Sequence, residues 1–136
     1  MAQLDIESRL EAVAPIVLSV FRIVVGFLFA CHGSAILFGW PLAMPGGTPA
    51  IGTWPDWYAG VIELLVGLLV GTGLATRMAA LIGSGEMAFA YFTVHQPTAP
   101  LPIANNGELS VLFCFSFFLL IFTGGGIIAL DSLRRR

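Results

Sequence analysis

The chain contains no lysine, only two cysteines and few charged residues of either sign. Charged residues make up 10% of its 136 residues, and the formal net charge is −2. Nucleic-acid binding needs a concentrated basic surface, and the one basic cluster here is the C-terminal Arg134-Arg135-Arg136. We therefore expect no nucleic-acid partner, and we assign this triplet to the anionic headgroups of membrane lipids.

Several signatures of redox cofactors are also missing. Cys31 and Cys114 form no Cys-x-x-Cys motif, which argues against an Fe–S cluster. The chain has no glycine-rich nucleotide-binding loop and no two candidate haem ligands that share a helix face. We expect no haem, nucleotide or Fe–S cluster. The redox state of the two cysteines is left open: buried cysteine is commonly an apolar filler, but their matching depths would also allow disulfide exchange.

Apolar residues are what the chain has in abundance. They make up 57% of the sequence, and the mean hydropathy is +0.92. A helix needs roughly 20 apolar residues to cross about 30 Å of hydrocarbon, and four segments come near this length: 15–38, 57–74, 77–95 and 109–130. The alternation of a membrane β-barrel is missing. We predict a single domain, residues 1–136, that is an all-α integral membrane four-helix bundle.

The arginines are placed asymmetrically along the chain. Arg9 precedes the first predicted span, Arg77 lies between the second and third, and Arg134–Arg136 follow the fourth, whereas loops 39–56 and 96–107 carry no basic residue. By the positive-inside rule, both termini lie in the cytoplasm and the two loops face outward. The first outer loop, rich in proline, glycine and tryptophan, is either a lid over a cavity or a connector anchored at the membrane surface.

Titratable side chains occur inside the predicted spans and at their outer ends. They are Arg22, His32, Glu63, Glu86, His95 and Glu108. A charge in hydrocarbon costs on the order of 2.5–3.5 kcal/mol on insertion scales, so such groups usually face protein and have a partner or a function. Depths estimated along the helices predict a buried ion pair between Arg22 and Glu86. They also gather the other four residues in the outer half of the bundle.

Carboxylate and imidazole groups together suit two kinds of ligand. They can hydrogen-bond a quinone carbonyl and relay protons to it, because histidine titrates near neutral pH. They can also bind a divalent metal ion, but the Glu-x-x-His spacing of di-iron bundles is missing, so we predict no metal site. A third interpretation is a polar network that only fixes helix packing. We take all six residues as candidates for binding a cofactor, quinone, and assign no catalytic residue.

The sequence resembles the DoxX family of small membrane proteins. The similarity rests on four short spans with His32-Gly33 closing the first, Gly60-Val61-Ile62-Glu63-Leu64-Leu65-Val66-Gly67 and Gly73-Leu74-Ala75-Thr76-Arg77 on the second, and Asn106-Gly107-Glu108 opening the fourth. The chain departs from many relatives at Ile36, where they have a lysine. Relatives include a membrane subunit of a thiosulfate:quinone oxidoreductase and partners of superoxide dismutase and sulfurtransferase, so the resemblance implies redox or sulfur metabolism.

We interpret the chain as a multi-pass protein of the bacterial inner membrane that serves an oxidoreductase partner as its quinone-facing or anchoring subunit. Whether it is itself an enzyme stays open. One alternative is a transporter or assembly factor that handles a small sulfur compound through the same polar cavity. Another is a purely structural subunit, which forms a homo-oligomer through lipid-facing glycines such as Gly124-Gly125-Gly126.

Overall fold

The structure is a computed structural model that describes residues 2–134, with side chains from residue 5 onward. The described part of the chain is helical and contains no strand. The elements are α1 (Ala2–Phe38), α2 (Asp56–Thr72), α3 (Thr76–Ala90) continued by a π-helical turn (Tyr91–His95), the short α4 (Pro102–Asn105), α5 (Glu108–Thr123) and the short α6 (Leu130–Leu133). The prediction of an all-α protein is therefore confirmed.

Among the described helices, only the segment Asp5–Phe38 of α1 is long and apolar enough, by length and composition, to cross a membrane as an isolated helix. The helix α1 begins well before the predicted span, so the polar N-terminal lead-in continues it without a break and Pro15 lies inside the helix. The predicted fourth span is too long. Its helix ends at Thr123, because Gly124 takes a positive φ of 75° that a continuing helix does not allow.

The long helices pack as two closely associated pairs, α1 with α2 and α3 with α5, and contacts between α2 and α3 join the pairs. A sharp turn connects α2 to α3, with Gly73 and Ala75 both in the left-handed region. The aromatic ring of Phe29 on α1 lies 5.0 Å from the ring of Phe113 and 4.7 Å from that of Phe117, both on α5. This aromatic cluster forms the shared core of the two pairs.

Glycines allow the backbones of α1 and α2 to touch. A Cβ atom added at Gly26 would lie 2.3 Å from the backbone nitrogen of Gly71, and one added at Gly33 would lie 2.3 Å from that of Leu64. A Cβ added at Gly67 would lie 2.3 Å from the nitrogen of Ala30. The glycines of α2 thus form the surface by which α2 packs against α1.

Replacing one of these glycines should separate the two helices. We expect Gly67→Ala to lower the free energy of unfolding by about 1–3 kcal/mol, because its Cβ meets backbone atoms that no rotamer change can move. The matched control is Gly85→Ala on α3, where an added Cβ has no neighbour within 4 Å. Unfolding of both variants in mixed detergent micelles measures the difference, and equal stability of the two would contradict the close packing.

The segment after α5 folds back against the start of α3 and caps it. The backbone amides of Ala75 and Thr76, at the start of α3, donate hydrogen bonds of 2.8 and 2.9 Å to the carboxylate of Asp131. Conversely, Arg77 on α3 caps the end of α5: its guanidinium donates to the carbonyl oxygens of Ile121 and Phe122 at 2.7 and 2.9 Å. Each charge has the sign that suits the dipole of the helix end that it meets.

The three consecutive glycines serve this fold-back. Gly124 is buried, and Gly126 has a φ of 76°. A Cβ at Gly125 would lie 2.9 Å from the side chains of Thr76 and Ala129. The interpretation of these glycines as a lipid-facing contact between copies of the chain is wrong, since they pack inside a single copy.

The Asp131 cap should make stability depend on pH. Burial alone raises the pKa of this carboxyl, but the hydrogen bonds from Thr76 and Ala75 outweigh it and hold the pKa below its ordinary value. A lowered carboxyl pKa contributes stability above the unfolded-state pKa of about 4, and the contribution is lost as pH falls through the folded value. We expect Asp131→Asn to be less stable than wild type at pH 7, and the gap to close in acid. A gap that is constant from neutral pH to about pH 2 would contradict the assignment.

Candidate functional site

A cavity of about 460 Å³ lies between the helices on the side of the loop that joins α1 to α2. Four of the six predicted site residues line it: His32 on α1, Glu63 on α2, Glu86 on α3 and His95 in the π-helical turn. The structure therefore brings together two carboxyl groups and two imidazoles that are up to 63 residues apart in the sequence. Apolar and aromatic side chains make up most of the remaining wall.

His32 and Glu63 form a directly bonded pair at this cavity. The Nδ1 atom of His32 lies 2.7 Å from Oε2 of Glu63. The Glu63 side chain is only 4% exposed, whereas that of His32 is 39% exposed, so the imidazole is the accessible member of the pair. The nearby Gly33 lets α2 approach closely enough for this contact, since the backbone of Glu63 and Leu64 occupies the space that a side chain at residue 33 would need.

Glu86 lines the same cavity without a comparable partner. Its Oε2 atom is buried and accepts no hydrogen bond from the residues that the structure describes. Leaving a polar atom buried and unpaired costs about 1–3 kcal/mol, and more for a charged group. An unpaired carboxyl oxygen at a cavity is therefore a point where a bound molecule would gain a hydrogen bond.

His95 reaches the cavity because the third helix widens at its end. On a continuous α-helix His95 would point about half a turn away from Glu86. Instead the amide of Gln96 bonds the carbonyl of Tyr91 at 2.8 Å, the five-residue spacing of a π-helix. This wider turn rotates His95 less per residue and leaves it at the cavity, where its Nδ1 donates to the backbone carbonyl of Asn105 at 3.0 Å.

Several wall residues were not predicted from the sequence. Phe29, Met87 and Phe113 come from three different helices, and their helical spacing identifies them only as core. Trp54, from the loop between α1 and α2, also lines the cavity and packs its ring 6.1 Å from that of Phe89. Part of this loop thus covers the cavity, as expected of a lid, although the loop's aromatic residues alone are equally typical of a surface anchor.

A buried asparagine organises the loop between α3 and α5. The side chain of Asn105 donates to the carbonyl of Ala99 at 2.8 Å and accepts from the amide of Gly107 at 2.8 Å. Asn106 adopts the left-handed conformation and α5 begins at Glu108, so a tight turn leads directly into α5. The pattern Asn-Asn-Gly indicated the turn but not that Asn105 is 5% exposed and tied to the backbone on both sides.

The predicted ion pair between Arg22 and Glu86 is wrong. Arg22 is 1% exposed, and its guanidinium donates to backbone carbonyls: Nη1 to Val70 and Gly71 at 2.6 and 2.7 Å, Nε to Gly125 at 2.8 Å, and Nη2 to Ile128. Val70 and Gly71 lie in the last turn of α2, whose carbonyls lack partners within the helix. The predicted pair rested on the estimated depths of the two side chains in the membrane, and such an estimate cannot show that backbone carbonyls are available to accept the hydrogen bonds of Arg22. Arg22 does not line the cavity.

Glu108 and the two cysteines also lie outside the predicted cluster. Glu108 is exposed in the first turn of α5 and is not part of the cavity wall. Cys31 and Cys114 are both free thiols, and Ser84 donates to the carbonyl of Cys114 at 3.0 Å. In the described part of the chain, no three His, Cys, Asp or Glu side chains are grouped so that they could hold a metal ion.

Removing the Arg22 guanidinium should destabilise the protein without changing the residues that line the cavity. We expect Arg22→Gln to lower the free energy of unfolding by about 3–5 kcal/mol, because buried carbonyls of α2 and of the C-terminal segment lose a charged donor. The control is Arg9→Gln, whose side chain is 78% exposed and pairs only with Asp5. Detergent unfolding of both variants checks this, and a loss no greater than that of Arg9→Gln would show that the guanidinium contributes little.

The fold and the cavity define a helical protein with an apolar exterior and a polar internal site. The sequence profile of the DoxX family matches residues 17–96, which is more than half of the chain. The chain therefore belongs to the DoxX family, whose members are membrane proteins. The matched region includes His32, Glu63, Glu86 and His95.

Two curated relatives are similar over most of the chain. A protein of Haemophilus influenzae described as "Uncharacterized protein" is 42% identical over 128 residues, which cover 92% of this chain and 96% of that protein. A protein of Bacillus subtilis named "Putative oxidoreductase CatD" is 29% identical over 115 residues, which cover 81% of each. No solved structure is significantly similar to this one.

Proposed function

We propose that the chain is the quinone-facing membrane subunit of an oxidoreductase complex of redox or sulfur metabolism. It spans the inner membrane of a bacterium four times as a helical bundle, with both termini in the cytoplasm. The single observation that carries the proposal is the cavity in which the His32–Glu63 pair and an unpaired Glu86 carboxyl oxygen share a largely apolar wall.

The outer surfaces of the helices support the membrane location. Large apolar side chains are exposed on every long helix, among them Phe27 at 64%, Leu65 at 55%, Ile82 at 52% and Phe115 at 65%. With 17 and 16 residues, α2 and α5 extend about 24–26 Å at 1.5 Å per residue. This is close to the hydrocarbon thickness, and modest local thinning of the bilayer accommodates the difference. The helix α3 gains length from its π-helical turn.

The distribution of arginines supports the orientation. Arg77 and Arg134 both line a second cavity, of about 880 Å³, together with Pro15 and the glycine fold-back. The loop residue Trp54 lines the cavity that holds Glu86. The basic residues thus gather at one end of the molecule and the candidate site opens toward the other. With the basic end in the cytoplasm, the site faces the outer side of the membrane.

A quinone headgroup fits the residues that are present. The volume of about 460 Å³ lies within the usual range of small-molecule sites, about 300–1,000 Å³, which combine apolar walls with a few placed polar groups. Phe29, Phe113 and Met87 offer flat or deformable apolar surfaces to a ring. The unpaired oxygen of Glu86 is the polar atom that a ligand would satisfy.

When bound, a quinone supplies the two-electron, two-proton redox chemistry, and the electrons come from the partner oxidoreductase. The residues of this chain position the quinone ring and transfer protons. Glu63 fixes the orientation of the His32 imidazole through Nδ1, as carboxylates do in other carboxylate–histidine pairs. The Nε2 atom then gives a proton to a ring oxygen or takes one from it. A role in redox chemistry agrees with the name of the Bacillus subtilis relative, "Putative oxidoreductase CatD".

A second candidate function is a transporter or assembly factor for a small sulfur compound. The observation that favours it is the presence of two cavities, one at the arginine end and one at the loop end. Substrate flux into liposomes that contain only this chain, with no redox partner, would support this candidate over the first.

Substituting either member of the histidine–carboxylate pair should greatly slow quinol formation while the chain still folds. We expect Glu63→Gln and His32→Ala to lower quinol formation by the purified complex about 10²-fold or more, the effect typical of losing a general acid or base. The copurified quinone, measured by mass spectrometry, should fall as well. The matched control Glu108→Gln alters an exposed carboxylate outside the cavity and should leave both quantities unchanged.

The proposal fails if both cavity variants assemble with the partner, keep their quinone and turn over at the wild-type rate. Intact assembly and turnover in all of the cavity variants would leave a structural subunit as the function of the chain.

A further inference from the structure

We propose that Glu86 binds a second ring oxygen, so that the cavity selects a ring with two oxygens over a ring with one. This inference rests on the proposed function and deepens it by naming the substrate class: a dihydroxylated aromatic ring, held at both oxygens. The His32–Glu63 pair meets one oxygen and Glu86 meets the other.

The His32–Glu63 pair and Glu86 differ in whether their hydrogen bonds are already made before a ligand binds. Glu63 is almost fully buried and already bonded to His32 at 2.7 Å, so the imidazole is the group of that pair that a ligand can reach. Glu86 Oε2 is buried without a partner in the described part of the chain. The neighbouring Thr93 and His95, which also line the cavity, already donate to the carbonyls of Phe89 and Asn105. They leave Glu86 unsatisfied.

The two groups approach the cavity from different helices. His32 lies on α1 and Glu86 on α3, and these two helices pack against α2 and α5 rather than extensively against each other. The side chains of Phe29, Met87 and Phe113 line the same cavity and offer no hydrogen bond of their own. A ligand that fills this space therefore meets apolar side chains along its ring, and His32 on α1 and Glu86 on α3 are among the polar groups of the wall. A ring with oxygen atoms at two positions matches that pattern.

Binding of two matched probes tests the inference without any enzyme turnover. Durohydroquinone carries two ring hydroxyl groups, and the corresponding tetramethylphenol lacks one of them. The dissociation constants of both are measured by quenching of tryptophan fluorescence, with the full chain in detergent under anaerobic conditions. We expect wild type to prefer the hydroquinone by about tenfold or more, which corresponds to about 1.4 kcal/mol.

The variants locate the source of that preference. In Glu86→Leu the affinity for the tetramethylphenol should stay within about twofold of wild type, and the preference for the hydroquinone should fall to near one, because only the second hydroxyl has lost its acceptor. Glu86→Gln keeps a hydrogen-bonding group and should retain part of the preference. Glu108→Leu, outside the cavity, should behave as wild type.

The possible failures are distinguishable. If wild type binds neither probe, the proposed function and this inference are both overturned. If wild type binds the two probes equally well, or if Glu86→Leu keeps the full preference, the role of Glu86 is wrong and the quinone-facing function stands. A preference that is lost in Glu86→Leu and in Glu108→Leu alike would also overturn the inference, because a remote change would then have the same effect.

Discussion

The contact between the backbones of α1 and α2 is the constraint on which the rest of the structure depends. Gly33 lies against the backbone of Glu63 and Leu64, and Gly26 and Gly67 make equally close contacts along the same interface. In a membrane, helices gain little from hydrophobic association and rely on such close packing. Because His32 directly precedes Gly33, the contact that joins the helices also sets the imidazole at 2.7 Å from Glu63. The close approach of α1 and α2 at Gly33 therefore determines both the helix packing and the geometry of the His32–Glu63 pair.

At the end of the molecule that is opposite the cavity, backbone groups form the hydrogen bonds of the charged side chains. Arg22 donates to carbonyls from the end of α2 and from the segment that follows α5, so one guanidinium ties three parts of the chain together. Asp131 and Arg77 cap the start of α3 and the end of α5 in the same region. Together they give the arginine end a dense set of charged contacts to the main chain.

The sequence was enough to predict the helical class and the proximity of His32 to Glu63, because these follow from helical period and from similar depth in the membrane. The prediction failed where the backbone departs from a straight α-helix. A π-helical turn brings His95 to the cavity, and positive-φ glycines end α5 at Thr123 and fold the chain back onto Arg22. Carbonyl acceptors are invisible in a sequence, so Arg22 was given the wrong partner.

The buried ionisable groups differ in how fully the protein itself satisfies them, and this difference separates structure from function. Arg22 places four of its five N–H groups on carbonyls and is 1% exposed, so the protein itself satisfies it almost fully. Glu63 has His32, whose ring remains partly exposed. Glu86 has an oxygen with no described partner and lies in a cavity. Burying an unpaired carboxyl oxygen is costly in any protein, and a chain gains nothing from that cost unless another molecule supplies the missing hydrogen bond. The least satisfied group, rather than the most buried one, is therefore where recognition of a ligand should be sought.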